Sequence, residues 1–269
     1  MKTLYVSDLD GTLLRSDERT SDYTNRTINR LVEQGMLFSY ATARSFQTAR
    51  KVTSGLNAAI PLIVYNGAMV VDNRDGSFFI KNFFGPESTE MIRDLLNHNI
   101  YPIVYAFAEE REVFSYLPHH CSTGMQEFLV TRRNDPRERP VCRPEELLSG
   151  EIFYITCIDE EEKLAPLYAK YRTSCHCVFQ KDLYTQRQWL ELMPPAASKS
   201  NAIRQLKEQL GCSRLVVFGD GKNDMDMFQL ADEAYAVENA AGELKELASA
   251  IIGSNDADSV AKWLEQHIT

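Results

Sequence analysis

Leu4-Tyr5-Val6-Ser7-Asp8-Leu9-Asp10-Gly11-Thr12 decides how the rest of the sequence reads. Three apolar residues in a row make a short buried strand, and the strand ends in a pair of carboxylates two residues apart. Glycine follows, where the backbone must turn. In open parallel sheets ligands bind beyond the carboxyl ends of the strands, so Asp8 and Asp10 stand where chemistry is expected. One such carboxylate can attack as a nucleophile while the other holds or moves a proton.

Outward from that stretch, strands and helices alternate. Ile28, Leu31 and Val32 recur at helical spacing before Gly35, and Leu37–Ala41 gives a second strand. A helix from about Phe46 to Ser54 ends at Gly55, and Leu62-Ile63-Val64-Tyr65 gives a third strand. Val70-Val71 and Phe78-Phe79-Ile80 flank the turn Asn73-Arg74-Asp75-Gly76 and read as a hairpin. The same rhythm returns near the C-terminus. Ile203, Leu206 and Leu210 form a helical stripe closed by Gly211, Leu215-Val216-Val217-Phe218 reads as a strand buried on both faces, and Val260, Trp263, Leu264 and Ile268 mark a last amphipathic helix. The pattern predicts an α/β fold, a Rossmann-like parallel-sheet core covered on both faces.

The middle differs. After a helix near Ser88–Asn97, strand-like runs fall at Tyr101–Phe107, Glu112–Tyr116, Glu151–Ile158 and Cys175–Gln180. The stretch Arg132–Pro144 reads as a solvated surface connection, because charge-rich, proline-bearing segments usually are. The expected organisation is a core over residues 1–82 and 189–269, with an inserted α+β unit over residues 83–188.

Three further pieces join the two aspartates. Thr42 follows the second strand. Lys199 opens the helix bearing Ile203 and Leu206, an unfavourable place for a cation that an anion would relieve. Gly219-Asp220-Gly221-Lys222-Asn223-Asp224 follows the most apolar strand. Several unpaired carboxylates together repel, and a hard divalent cation resolves the conflict. Mg2+ takes oxygen ligands and sits on one or two carboxylates plus a substrate phosphate. Thr42, Lys199 and the main-chain N–H groups after Asp8, Leu9 first, would then spread the charge of the phosphoryl oxygens.

These motifs resemble, in order, the four signatures of the haloacid dehalogenase-like phosphohydrolases: Asp8-x-Asp10-Gly11-Thr12, Thr42, Lys199 and Gly219-Asp220-x-x-Asn223-Asp224. Ala41-Thr42-Ala43-Arg44, Asn66-Gly67-Ala68 and the long insertion resemble the Cof-like branch of sugar-phosphate phosphatases. The resemblance implies that Asp8 is the nucleophile and forms an aspartyl-phosphate. It makes Asp10 the general acid and base, and it implies that Asp8, the main-chain carbonyl of Asp10, and Asp220 hold Mg2+. Asp224 completes that site directly or through an intervening group, and Asn223 lies beside the phosphate. The inserted unit would be a cap that selects the leaving group. Ala43 and Ser200 stand where the family usually has glycine. Arg44 either meets the phosphate or pairs with an acid, and Asn66-Gly67 either reaches the substrate or opens the hairpin. Tyr105, His119, His120 and Arg187 are polar-tipped candidates in the inserted unit.

The expected activity is Mg2+-dependent hydrolysis of small phosphomonoesters, sugar phosphates or related metabolites. A phosphomutase shares the first half-reaction, and a phosphate-responsive signalling module shares the Asp, Thr and Lys but not the Asp-x-Asp-Gly-Thr run. Composition limits the partners. The chain has 269 residues, 44% of them hydrophobic and 25% charged, with 29 Lys+Arg against 38 Asp+Glu and a net charge of −9. That is ordinary for a folded protein, and an acidic chain is poorly suited to a nucleic-acid backbone. No apolar stretch approaches the ~20 residues of a membrane span, and no obligate protein partner is evident. Met1-Lys2-Thr3-Leu4 runs straight into the first strand without a signal-peptide core, so a cytoplasmic location is expected. There the six cysteines would be reduced. Cys175-His176-Cys177 and His119-His120-Cys121 lack the spacing of a structural zinc site, and on a strand Cys175 and Cys177 would share a face.

Overall fold

The computed structural model describes residues 2–109, 111–182 and 185–268; Met1 and Thr269, the ends of the expected core, lie outside them. The chain forms two compact units, Met1–Lys81 with Ala197–Thr269, and Asn82–Ala196.

In the first unit the chain runs β1 (Thr3–Asp8), α1 (Asp22–Glu33), β2 (Leu37–Ala41), α2 (Phe46–Val52), β3 (Pro61–Val64), β4 (Met69–Asp72) and β5 (Phe78–Lys81). The second unit follows with α3 (Glu87–Asn97), β6 (Ile103–Ala108), β7 (Arg111–Tyr116), α4 (Thr123–Val130), β8 (Glu138–Pro140), β9 (Glu151–Asp159), α5 (Glu161–Tyr171), β10 (His176–Lys181) and β11 (Gln188–Met193). The first unit resumes with α6 (Lys199–Gln209), β12 (Arg214–Gly219), α7 (Met225–Leu230), β13 (Glu233–Ala236), α8 (Gly242–Leu247), β14 (Ala250–Ile251) and α9 (Ser259–His267).

The eight strands of the first unit form one sheet in the order β14-β13-β12-β1-β2-β3-β4-β5. It is parallel from β14 to β3, and the hairpin β4–β5 adds two antiparallel strands. The central strand β1 buries Leu4 and Val6 completely, and β12 buries Leu215 to Phe218 completely, as a continuous apolar run between two helical layers requires. The helical stripes face inward as expected: Ile28 and Leu31 of α1, Ile203 and Leu206 of α6, Val260 and Leu264 of α9 are buried. Both α1 and α2 start on a serine, Ser21 and Ser45, whose side chain accepts an N–H of the first turn, the usual relief for unpaired donors at a helix start.

The second unit is the expected α+β insertion, a six-stranded sheet in the order β10-β11-β9-β6-β7-β8. Ile92 and Leu95 of α3 and Leu164 and Leu167 of α5 pack in one cluster with Val104, Ile155, Leu190 and Leu192 of the sheet. Two expectations need correction. The return to the core does not come at residue 189, because β11 pairs antiparallel with both β9 and β10 and so belongs to the inserted sheet. The stretch Arg132–Pro144 is not wholly a solvated connection. It contains β8, which pairs with β7, and Arg137, which is buried because Asp135 and Glu112 bind its guanidinium at 2.7 and 2.5 Å.

Of the polar-tipped candidates in this unit, Arg187 pairs with Glu127 at the surface, His120 stacks on Tyr101, and His119 is exposed. Tyr105 is buried among Phe114, Phe153 and Tyr154.

Glu191, on β11, is buried as well. Burial pushes its carboxyl up to about 7, against a hydrogen bond with Tyr154 that works the other way. A carboxyl raised in the folded state favours folding while protonated, and that benefit is lost as pH rises through about 7. Glu191→Gln, which fixes the neutral form, should therefore stabilise the inserted unit at about pH 8 by on the order of 3 kcal/mol and change little at about pH 5. Thermal unfolding of both proteins at the two pH values checks this.

Candidate active site

The register of three adjacent strands brings the sequence motifs together. Asp8 ends β1 and pairs with Ala41, so Thr42 follows one residue later on the neighbouring strand. On the other side Ser7 pairs with Phe218, which sets Gly219 and Asp220 at the same end of the sheet. Carboxylates from positions more than two hundred residues apart thus meet because parallel strands end together.

After Asp8 the chain makes a wide turn, closed by the Leu14 N–H donating to the Leu9 carbonyl at 2.8 Å. Gly11 has φ +77°, and a side chain there would run into the Asp220 carboxylate. Glycine at this position therefore answers both a left-handed backbone and a close approach. Thr12 is buried and donates its hydroxyl to Asp220 Oδ1 at 2.9 Å.

Lys199 is the first residue of α6 and is 2% exposed. Its ammonium donates to Asp8 Oδ1 at 2.5 Å and to Asp224 Oδ1 at 2.7 Å. The other oxygen of Asp224 accepts the N–H groups of Asp220 and Gly221 at 3.1 and 3.0 Å. Asp224 thereby fixes both the lysine and the turn carrying Asp220. Asn223 sits part-exposed in the same turn.

Oxygens of Asp8, Asp220 and Asp224 all lie within 4.8 Å of one another. Three carboxylates against one ammonium leave negative charge in a dry place. Burial, then the charge of Asp224, pushes the Asp8 carboxyl well above its ordinary range, and Lys199 only partly offsets this. The same two causes raise Asp220 to about 6, against the Thr12 hydrogen bond. Burial works against the Lys199 ammonium, but Asp224 and Asp8 outweigh it and hold the proton more firmly than usual. Asp220 adds its negative charge to that of Asp224 beside Asp8, a crowding of like charges that a divalent cation would relieve.

Asp10 stands apart from this cluster. Its carboxylate takes both Nε and Nη2 of Arg44, at 2.8 and 2.6 Å, and Arg44 also binds Glu18 at 3.0 Å. Of the two alternatives for Arg44, the structure thus has it paired with an acid, and the acid is Asp10. Burial opposes the guanidinium charge, yet Asp10 and Glu18 hold it still more firmly protonated. The Asp10 carboxyl accordingly does not join the other three; the expected link of Asp10 to a metal ran through its main-chain carbonyl.

Thr42 is 1% exposed, and its Oγ accepts the Arg44 N–H at 3.1 Å. Its carbonyl accepts the N–H of Asn66 at 2.9 Å, so the Tyr65–Gly67 turn is tied to the end of β2. Gly67 has φ +93°, and a side chain there would strike the carbonyl of Ser198, next to Lys199. Asn66-Gly67 therefore lies against the start of α6 as it leads into the β4–β5 hairpin. The sequence reading missed three participants: Glu18, which braces Arg44; Thr12 as a donor to Asp220; and Asn239, which donates to the Gly11 carbonyl at 2.7 Å. Among the described residues Asp8, Asp220 and Asp224 form the one group of three or more His, Cys, Asp or Glu side chains gathered closely enough that it could hold a metal.

A carboxyl raised in the folded state adds stability below its unfolded value and loses it as pH rises through the folded value. With divalent ions chelated, the protein should gain thermal stability as pH falls from about 7.5 to about 5.5, through the value of about 6 for Asp220. Asp220→Asn should flatten that slope and unfold at a higher temperature than the parent at about pH 7.5. Melting curves in a chelator across this range measure both effects.

Comparison with known proteins agrees with this arrangement. The sequence pattern of the haloacid dehalogenase-like hydrolase family matches residues 5–264. A 5-amino-6-(5-phospho-D-ribitylamino)uracil phosphatase of Bacillus subtilis is 27% identical over 99% of this chain and 98% of its own length. The HMP-PP phosphatase of Serratia proteamaculans is 26% identical over 98% of this chain and 95% of its own. Among solved structures, a haloacid dehalogenase-like hydrolase from B. subtilis superposes with a TM-score of 0.79 at 22% identity, covering 100% of both chains. Strand-end carboxylates, the buried lysine and the family match over nearly the whole sequence lead to one statement: this chain belongs to the haloacid dehalogenase-like hydrolases.

Proposed function

We propose that the protein is a Mg2+-dependent phosphatase that hydrolyses small phosphomonoesters through an aspartyl-phosphate on Asp8. The observation that carries this reading is the division of labour between the two aspartates of the first motif. Asp8 is buried against Lys199 beside Asp220, whereas Asp10, two residues on, is part-exposed and held by Arg44. Two carboxyls in unlike surroundings suit a nucleophile and an acid–base group.

The donor set fits Mg2+: carboxylate oxygens only, gathered within 4.8 Å of one another. Asp8, Asp220 and the Asp10 carbonyl would hold the ion, with Asp224 in support, and bound Mg2+ would neutralise the charge that opposes a phosphate dianion. Asp224 has both oxygens engaged by Lys199 and the turn N–H groups, so its part is to fix those groups.

In the first step an Asp8 oxygen attacks phosphorus and the bond to the leaving oxygen breaks as Asp10 delivers a proton to it. In the second, Asp10 takes a proton from water, which attacks the same phosphorus and frees Asp8 and inorganic phosphate. Arg44 orients the Asp10 carboxyl through its Nε and Nη2. Lys199, Thr42, Asn223 and the Leu9 N–H would balance charge on the phosphoryl oxygens, a term of several kcal/mol in comparable sites.

The two relatives named above are phosphatases of small phosphorylated compounds by name, which supports metabolite phosphates as the substrate class. The inserted unit would select among them, and Asn66-Gly67 would border the phosphate subsite. Among the described residues no helix is long and apolar enough to cross a membrane.

With Mg2+ the protein should release free phosphate from 4-nitrophenyl phosphate and from a subset of a panel of sugar, nucleotide and cofactor phosphates. Asp8→Asn should lose that turnover by on the order of a thousandfold or more without lowering the melting temperature, since it removes a buried charge. Chelation should abolish turnover and added Mg2+ restore it. Undiminished phosphate release by the folded variant would dismiss the nucleophile, and isomerised sugar phosphate without free phosphate would make the enzyme a mutase.

A further inference from the structure

One sequence motif has no part in the hydrolase site. In Cys175-His176-Cys177 the two Sγ atoms lie 3.5 Å apart, side by side at the start of β10. That strand is the edge of the inserted sheet, and Cys175 itself precedes it in the turn after α5. An edge strand has one side without a ladder to break, and the turn gives the backbone room to adjust. Cys175, 7% exposed, borders a cavity of about 360 Å3 with Phe84, Met91, Asp94, Lys170 and Tyr171, and Cys177 beside it is part-exposed. Cys157, a member of the same apolar cluster as Cys175, has no exposure at all.

We propose that Cys175 and Cys177 form a redox-active dithiol that closes to a disulfide when the protein meets a hydroperoxide, with Cys175 as the attacking thiol. The electrostatics agree with this order. The Cys177 hydrogen bond, aided by the main chain of Met193 and opposed by burial, moves the Cys175 thiol below its ordinary range. The same hydrogen bond, together with burial, moves Cys177 up. Thiolate is the reactive form, so the first electrons come from Cys175.

The Cys175 thiolate attacks the outer oxygen of the hydroperoxide. The O–O bond breaks, and the other oxygen leaves as alcohol or, from hydrogen peroxide, as water. The resulting sulfenic acid is attacked by Cys177; the S–O bond breaks, water leaves and the S–S bond forms. Two thiols have lost two electrons and two protons, and the peroxide has gained both. A dithiol reductant of lower potential cleaves the S–S bond and returns both thiols, its own two sulfurs being joined in a disulfide.

Trypsin tests this directly, because Thr173–Lys181 is one peptide carrying both cysteines and no other. The intact protein is treated with graded hydrogen peroxide, alkylated, digested and weighed. The expected product is this peptide, lighter by two hydrogens, without alkyl groups, and returned to the doubly alkylated form by dithiothreitol. Cys177→Ser should instead accumulate a Cys175 sulfenic acid that dimedone traps, and Cys175→Ser should leave Cys177 oxidised at least about tenfold more slowly. Doubly alkylated peptide at peroxide levels that already oxidise the exposed Cys142 would overturn the proposal, as would sulfinic or sulfonic acid at Cys175 with no bridged form. Equal oxidation rates in the two variants would overturn the assignment of Cys175 as the attacking thiol.

Discussion

The structure of the first unit depends on one buried ammonium. Lys199 sits between Asp8 and Asp224 with almost no contact with water, and an oxygen of Asp220 lies within 4.8 Å of both carboxylates. A buried ion pair gains little over a well-packed apolar contact, but removing one partner leaves an uncompensated charge. Here the imbalance is already present, since three carboxylates face one cation. Much around them follows from holding these groups in place. Gly11 is needed because Asp220 leaves no room for a side chain. Asp224 spends one oxygen on the turn that carries Asp220 and the other on Lys199. The helix start that disfavours a lysine is tolerated because two carboxylates answer it.

The two segments that build the parallel sheet were legible for a physical reason. A strand buried on both faces must be a run of apolar residues, and Leu215–Phe218 is one; polar residues at its end then stand out against it. The same contrast exposes Asp8 after Leu4–Val6 and Thr42 after Leu37–Ala41. Side-chain pairing is another matter. The sequence left Arg44 between a phosphate and an acid. Glu18, a brace for the guanidinium, went unnoticed because nothing in its own neighbourhood, where it takes φ +58°, announces a contact 26 residues on.

The inserted unit was legible in class and blurred at its edges. Trp189–Met193 alternates polar and apolar residues only loosely, and it lies just before the Lys199 helix, so it reads as part of the core. What assigns it elsewhere is non-local, its pairing between β9 and β10. Glu138-Arg139-Pro140 has no strand character of its own and is a strand only because β7 offers an edge. Arg137 is the sharper case. A charge in a charge-rich segment is normally solvated, and its burial becomes tolerable only through Asp135 and Glu112.

The place of the insertion also has a physical reason. β5 is the outer strand of its sheet, so a chain that leaves after Lys81 breaks no ladder, and one that returns at Ala197 goes directly into the helix bearing Lys199. The 115 intervening residues carry their own sheet and their own apolar cluster, so they need nothing from the parallel sheet to bury their strands. The eight-stranded sheet can therefore keep the spacing of Asp8, Thr42 and Asp220 fixed by register while the insertion changes its sequence. Chemistry that demands fixed geometry is separated from surfaces free to vary, and the separation falls where the sheet has an edge to spare.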